Sequence, residues 1–148
     1  MLSQIKTTIC PVRGVLPYHL PSARDGRGSL SAVEFESEVP FKPLRYFVTF
    51  GVPGAQERGQ HAHRHCAQFL VCVHGSCSIK VDDGENQQSF RLDHPTQGIY
   101  LPPMIWSTLS GHSADSTLLV FASHHYDAED YIRDYELFLE EAKGLVVY

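Results

Sequence analysis

Short runs of valine, isoleucine, leucine, phenylalanine and threonine alternate with polar residues and are broken at close intervals by Gly, Pro, Asp, Asn and Ser. A period of two with frequent breakers is the signature of strands, and the absence of long amphipathic segments between the runs argues for a sandwich or barrel over βαβ units. Strands are predicted at 5–10, 30–36, 44–50, 67–73, 77–81, 87–92, 99–101 and 117–122, with a Pro, Ser, Gly and Asp-rich loop at 17–27. Asp82-Asp83-Gly84-Glu85-Asn86 reads as a hairpin turn. A single strong helix is predicted over 127–143, with acidic residues in its first turn and Gly144 just past its end. The expectation is therefore an all-β single domain over 1–148 with a C-terminal α-helix.

The face of the strand at 67–73 bears on assembly. If Gln68, Leu70 and Cys72 point into the barrel, then Phe69, Val71 and Val73 point outwards on a wholly apolar face that needs a cover. A second sheet layer or a second subunit would supply it, and a homodimer is expected.

Composition narrows the function. A net charge of −5, with no basic run, argues against nucleic-acid binding. No apolar stretch is long enough to span a membrane and 1–11 lacks the layout of a signal peptide, so a cytoplasmic protein is expected. Cys10, Cys66, Cys72 and Cys77 form no Cys-x-x-Cys pair and are expected as reduced thiols.

The chemistry concentrates in Gly59-Gln60-His61-Ala62-His63, followed at set spacing by Gln68 and Gly75. On a strand, His61 and His63 share a face, ~7 Å apart along the chain, and line one pocket. This spacing resembles the first motif of the cupins, with Gln68 where that motif has a glutamate. The counterpart of the second motif, Gly98-Ile99-Tyr100-Leu101-Pro102-Pro103-Met104-Ile105-Trp106-Ser107, lacks its histidine. A catalytic transition metal needs about three protein ligands. Neither a metal nor any other cofactor is expected, and the two imidazoles read as proton-transfer groups.

Further blocks resemble the sugar 3,4-ketoisomerases acting on dTDP-4-keto-6-deoxyglucose. They are Asp25-x-Arg27-Gly28-x-Leu30, Arg58-Gly59-Gln60-His61-Ala62-His63-Arg64, Gln68-Phe69-Leu70-Val71-Cys72, the second-motif segment, Leu118-Leu119-Val120-Phe121-Ala122-Ser123, and Tyr126-Asp127-x-x-Asp130-Tyr131-Ile132-Arg133-Asp134-Tyr135. The resemblance implies a small, usually dimeric, RmlC-like cupin jelly roll that moves a ketone from C4 to C3 of a dTDP-sugar without a metal. It also implies His61 as the base and His63 as its assistant. A nucleotide-sugar epimerase, a sugar-sensing cupin and a metal-dependent dioxygenase are the competing readings.

Around that pair, Tyr100, Arg58 and Gln68 are candidates to stabilise the enolate oxygen, and Arg45 and Arg58 to hold the diphosphate. Trp106 is a packing anchor or a further ligand contact. Two departures from the family stand out. Many relatives carry Arg-Val-(Phe or Tyr)-Tyr where this chain has Arg45-Tyr46-Phe47-Val48, so Tyr46 is a candidate to replace a tyrosine of the site. Ala67 also stands where relatives tend to have a histidine. The remaining candidates, His65, His74, His94, His112, His124 and His125, are expected on the surface or in loops, and 130–135 as part of a packed amphipathic helix.

Overall fold

The structure, a computed structural model, describes the backbone at residues 6–7 and residues 9–145. Its strands are β1 (Lys6–Thr7), β2 (Leu16–His19), β3 (Ser22–Asp25), β4 (Gly28–Ser31), β5 (Arg45–Phe50), β6 (Arg58–His63), β7 (Gln68–His74), β8 (Cys77–Asp82), β9 (Gln87–Leu92), β10 (Gln97–Leu101), β11 (Trp106–Ser110), β12 (Thr117–Ala122) and β13 (Tyr131–Ile132). One α-helix, α1 (Tyr135–Lys143), follows them. The strands form two facing antiparallel sheets, ordered β1-β2-β10-β7-β12-β5 and β13-β6-β11-β8-β9, with β3 and β4 as a separate hairpin. This is the expected all-β, RmlC-like jelly roll with a C-terminal helix.

Alternation decides what each face buries. Leu70, Cys72, Ile79, Val81, Ile99, Leu118 and Val120 point between the sheets and form the main core. On the outside of the six-stranded sheet, Phe69, Val71 and Tyr18 form a second cluster under Val33, Phe35, Val39 and Phe41. The apolar face of β7 is thus covered largely by the chain's own 33–41 segment, while Val73 stays 40% exposed. The outside of the five-stranded sheet buries Ala62 and Ile132 against Phe138 and Ala142 of α1. Cys66, Cys72 and Cys77 are buried free thiols, and Cys10 is a half-buried one.

Several expectations need correction. Of the strand expected at 5–10, residues 5 and 8 lie outside the described residues, and the described ladder is only Lys6–Thr7. Segment 17–27 is not a loop: it supplies most of β2 and all of β3. Among the described residues, β1 pairs with Tyr18 and His19 of β2. The strand expected at 30–36 ends at Ser31, because Val33 and Phe35 are drawn onto the outer face of the six-stranded sheet. His112 lies in the loop after β11, as expected, and is buried there, 6% exposed.

The largest difference is in the tail. Only Tyr135–Lys143 is α-helical; 127–134 forms a single turn of 3₁₀ helix over Ala128–Asp130 and the short strand β13. The Asp134 carboxylate accepts the N–H groups of Glu136 and Leu137, so it starts α1 eight residues later than composition suggests. Upstream of that cap, Tyr131 and Ile132 find better partners in the free edge of β6, opposite His63 and Ala62. Among the described residues, no helix is long and apolar enough to cross a membrane.

Gly98 marks the tightest contact between the outer aromatic cluster and its sheet. A Cβ there would overlap the Phe69 ring, which is fully buried. Gly98→Ala is therefore expected to destabilise the fold by about 1–3 kcal/mol through overpacking, seen as a lower urea midpoint with an unchanged m-value.

Candidate active site

Backbone irregularity in β6 sets up the site. Ser107 of β11 pairs with His61, but the next residue, Thr108, pairs with Gly59, so Gln60 is an extra residue in the ladder. Gly59 (φ 79°) and Gln60 (φ 57°) both take left-handed backbone, and a Cβ on Gly59 would lie 2.9 Å from the Ser107 carbonyl oxygen. This bulge resets the alternation, so His61 and His63 face between the sheets and Ala62 packs outwards. Their ring centroids are 5.0 Å apart.

Each imidazole is held in one tautomer. His61 Nδ1 lies 3.0 Å from the Gly59 carbonyl oxygen, which can only accept, so Nδ1 carries the proton and Nε2 the lone pair. Among the described residues nothing hydrogen-bonds His61 Nε2. His63 Nδ1 lies 3.0 Å from Asp130 Oδ2, and Gln68 Nε2 lies 3.3 Å from His63 Nε2. Asp130 also accepts the backbone N–H groups of His65 and Cys66. Burial pushes its carboxyl up, but these donors and His63 outweigh it and hold it below the usual carboxylate range. Ionised Asp130 thus keeps the proton on His63 Nδ1, and the Gln68 amide donates to Nε2.

β13 forms the neighbouring wall. The Tyr131 ring lies 4.9 Å from His61 and 4.3 Å from His63, and the Arg133 guanidinium sits 4.5 Å over that same ring. Burial, with the neighbouring His63 next in weight, lowers the His61 pKa to about 4, and Arg133 adds to the effect. His63 is also lowered, chiefly by burial and further by Arg45 and Arg133, against the raising effect of Asp130. Both imidazoles are neutral at pH 7, the form in which a base can accept a proton.

The candidates divide by face. Gln68 and Arg45 project inwards in one row of the six-stranded sheet, joined through Ala122, and Arg45 lies against Phe47 and Tyr126. Tyr46, its neighbour in sequence, points out of the barrel at 68% exposure. Tyr100 also faces outwards, against Phe41. Trp106 lies beneath α1, with its ring 5.2 Å from Tyr135, on the other face of the sheet from the histidines. Arg58 stands at the far end of β6, where its charge acts on His112. Tyr46, Tyr100, Trp106 and Arg58 are therefore not gathered at the histidine pair within this chain. Asp130, Tyr131 and Arg133 are, and none was selected from the sequence, because each lay in a segment read as helix.

Among the described residues, one group of metal-ligating side chains lies within mutual reach, namely His63, Cys66 and Asp130, with ligand atoms within 4.8 Å of one another. Its donors are already committed: Asp130 to three N–H groups, and the Cys66 thiol to the Ala67 carbonyl. A concavity of about 1080 Å³ lies elsewhere, between the β8–β9 turn and α1. In its lining Asp83, Glu85, Asp134, Glu136 and Glu140 outnumber Arg13 and Lys143, a net negative balance that disfavours a diphosphate.

A jelly roll with two neutral, tautomer-locked histidines between its sheets is the architecture of a cupin acid–base enzyme. The model of the FdtA family, described as WxcM-like, C-terminal, matches residues 14–143, and this chain belongs to that family. A relative named TDP-4-oxo-6-deoxy-alpha-D-glucose-3,4-oxoisomerase, from Aneurinibacillus thermoaerophilus, is 42% identical over 114 residues, which are 77% of this chain and 82% of its own. The TDP-quinovose 3,4-ketoisomerase of Campylobacter jejuni is 38% identical with a TM-score of 0.84 over 87% of this chain and 99% of its own. A histidine-to-asparagine mutant of the 3,4-ketoisomerase of Thermoanaerobacterium thermosaccharolyticum, in complex with TDP-4-keto-6-deoxyglucose, is 28% identical with a TM-score of 0.87 over 93% and 99%. The epimerases NovW of Streptomyces spheroides and RmlC of Mycobacterium tuberculosis, 20% and 18% identical, share the fold.

Protonation of His61 is linked to stability. Its folded pKa, about 4, lies below the ordinary 6.5, so the unfolded chain binds more protons between those values. Its contribution is complete above pH 6.5 and is lost as pH falls towards 4. The expected result is a melting temperature that declines through this window, with a shallower decline in His61→Asn. An NMR titration placing His61 near 6.5 would contradict the burial argument.

Proposed function

We infer that this chain is a sugar 3,4-ketoisomerase whose substrate is a dTDP-linked 4-keto-6-deoxyhexose, dTDP-4-keto-6-deoxy-D-glucose in the first instance, and that it works without a metal. The observation that carries this reading is the pair of imidazoles with Nδ1 protons tied to Gly59 and Asp130, leaving both lone pairs on Nε2. A substrate of this class places the enzyme in the cytoplasm.

The chemistry needs three proton transfers. His61 Nε2, unbonded among the described residues, takes the C3 proton, and the electron pair forms the C3–C4 double bond as the C4 oxygen takes the negative charge. Proton transfer from the C3 hydroxyl to the C4 oxygen, assisted by His63, gives the isomeric enediolate. Return of the proton to C4 leaves the ketone at C3, so no atom is gained or lost. Asp130 holds His63 in the form that accepts and passes a proton at Nε2, and Gln68 steadies that atom and offers an amide donor to the developing oxyanion. Arg45, with its Nε buried and unbonded, supplies one cation for the diphosphate.

His61→Asn keeps size and polarity but cannot titrate, and is expected to lower kcat at least about 10²-fold with substrate binding little changed. The wild type should retain activity in a chelator and, in deuterated water, place deuterium at C4 of the product. Undiminished turnover by His61→Asn, with no solvent deuterium in either sugar, would sink the enediol route. Activity lost with a stoichiometric metal would sink the metal-free one.

We also propose a homodimer, on grounds that differ from the sequence argument. Among the described residues, β5 ends its sheet with an unpaired edge, and it exposes Tyr46, Val48 and Phe50, the last at 73%. The β3–β4 hairpin joins neither sheet, and its Leu30 is 60% exposed. A lone hairpin is marginal in water, and a second copy is the partner that covers both surfaces. Light scattering at micromolar concentration should give twice the chain mass, and Phe50→Glu should shift it towards one. A monomeric wild type would refute this assembly.

A further inference from the structure

Two arginines flank the histidine pair, and neither has a carboxylate within ion-pair distance among the described residues. Arg27 pairs with Asp25 and Arg64 with Glu141, while Arg13, Arg24, Arg58 and Arg91 have no ion pair among the described residues, so it is position beside the histidines that sets Arg45 and Arg133 apart. The chain has 17 acidic residues against 12 Lys and Arg, so an unpaired cation here does not reflect a shortage of partners. Beside Arg133 the nearest carboxylates in sequence are both spent. Asp134 caps α1, and Asp130 is committed to His63 and the N–H groups of His65 and Cys66.

Position adds to this. Pairing of Tyr131 with His63 fixes β13 against β6. Strand alternation then buries Ile132 and returns Arg133 to the Tyr131 side. The guanidinium lies over Tyr131, and Tyr131 lies against both imidazoles, so the cation is one aromatic ring away from the reacting atoms. In a nucleotide sugar the phosphate on C1 is likewise one pyranose ring away from the C3–C4 edge. A guanidinium propped on an aromatic face keeps its N–H fork free for phosphoryl oxygens.

We propose that Arg133 is a substrate-binding residue of this site, taking the diphosphate of the sugar nucleotide on the wall opposite Arg45. The assignment rests on the ketoisomerase reading and extends it to the phosphate-recognising group. It also gives the short strand β13 a purpose, since Tyr131 and Arg133 reach the histidines only while that strand stays paired.

The test compares wild type, Arg133→Gln and Arg133→Lys, using calorimetry with dTDP, NMR-detected binding of thymidine, and steady-state kinetics with dTDP-4-keto-6-deoxyglucose. Arg133→Gln should weaken dTDP at least tenfold and leave thymidine binding unchanged. Its kcat/KM should fall by a similar factor, carried by KM. Arg133→Lys should recover part of the loss, because it restores charge without the fork, and it serves as the folded variant should Arg133→Gln melt early. Unchanged dTDP affinity in both variants overturns the proposal, as does a fall in kcat alone, which would put Arg133 at the enolate oxygen. A wild type that binds dTDP through Arg133 but does not isomerise the sugar overturns the ketoisomerase reading and leaves this assignment standing.

Discussion

The contact between Asp130 and His63 is the constraint on which the rest of the site depends. It places a carboxylate behind a buried imidazole, fixes which nitrogen carries the proton, and ties the tail to β6, the strand of the histidine pair. Asp130 can do this because its other donors, the N–H groups of His65 and Cys66, come from the turn between β6 and β7. A charge held by three N–H groups stays ionised despite burial. Removing it would leave His63 without its tautomer lock and would also take the main partner from the segment that carries Tyr131 and Arg133.

The two histidines differ because their second nitrogens meet different acceptors. His61 is held by a neutral carbonyl and has an open Nε2, which suits it to remove a carbon-bound proton. His63 is held by a carboxylate and is met at Nε2 by Gln68, which suits it to relay protons between oxygens. The glutamine in place of the motif glutamate fits this division. An amide donates to Nε2, whereas an ionised carboxylate there would only accept and would favour the imidazolium.

Much of this was legible in the chain. Alternation gave most of the strands, and the spacing of His61, His63, Gln68 and Gly75 picked out the fold and two histidines that the structure brings together. What stayed hidden depended on parity and pairing. Whether Tyr46, Tyr100 or Trp106 faces inwards follows from register, and register near the site turns on the single extra residue Gln60. The tail misled for a different reason. Its acidic and aromatic residues suit a helix locally, but β6 offers Tyr131 and Ile132 an open edge, and long-range pairing overrode local preference. Asp130 carried no signal of its own, since an aspartate in an acidic stretch looks like surface.

His63 and Asp130 are 67 residues apart in sequence, and the strands that join them contribute little to the sandwich core. Contacts of such long range are slow to close, and small peripheral strands open at lower cost than the sheets they flank. The barrel can thus hold nearly all its β structure while the His63 imidazole still lacks its carboxylate. For this molecule, turnover is a stricter measure of complete folding than circular dichroism or compactness, because it registers the arrival of the last short strand.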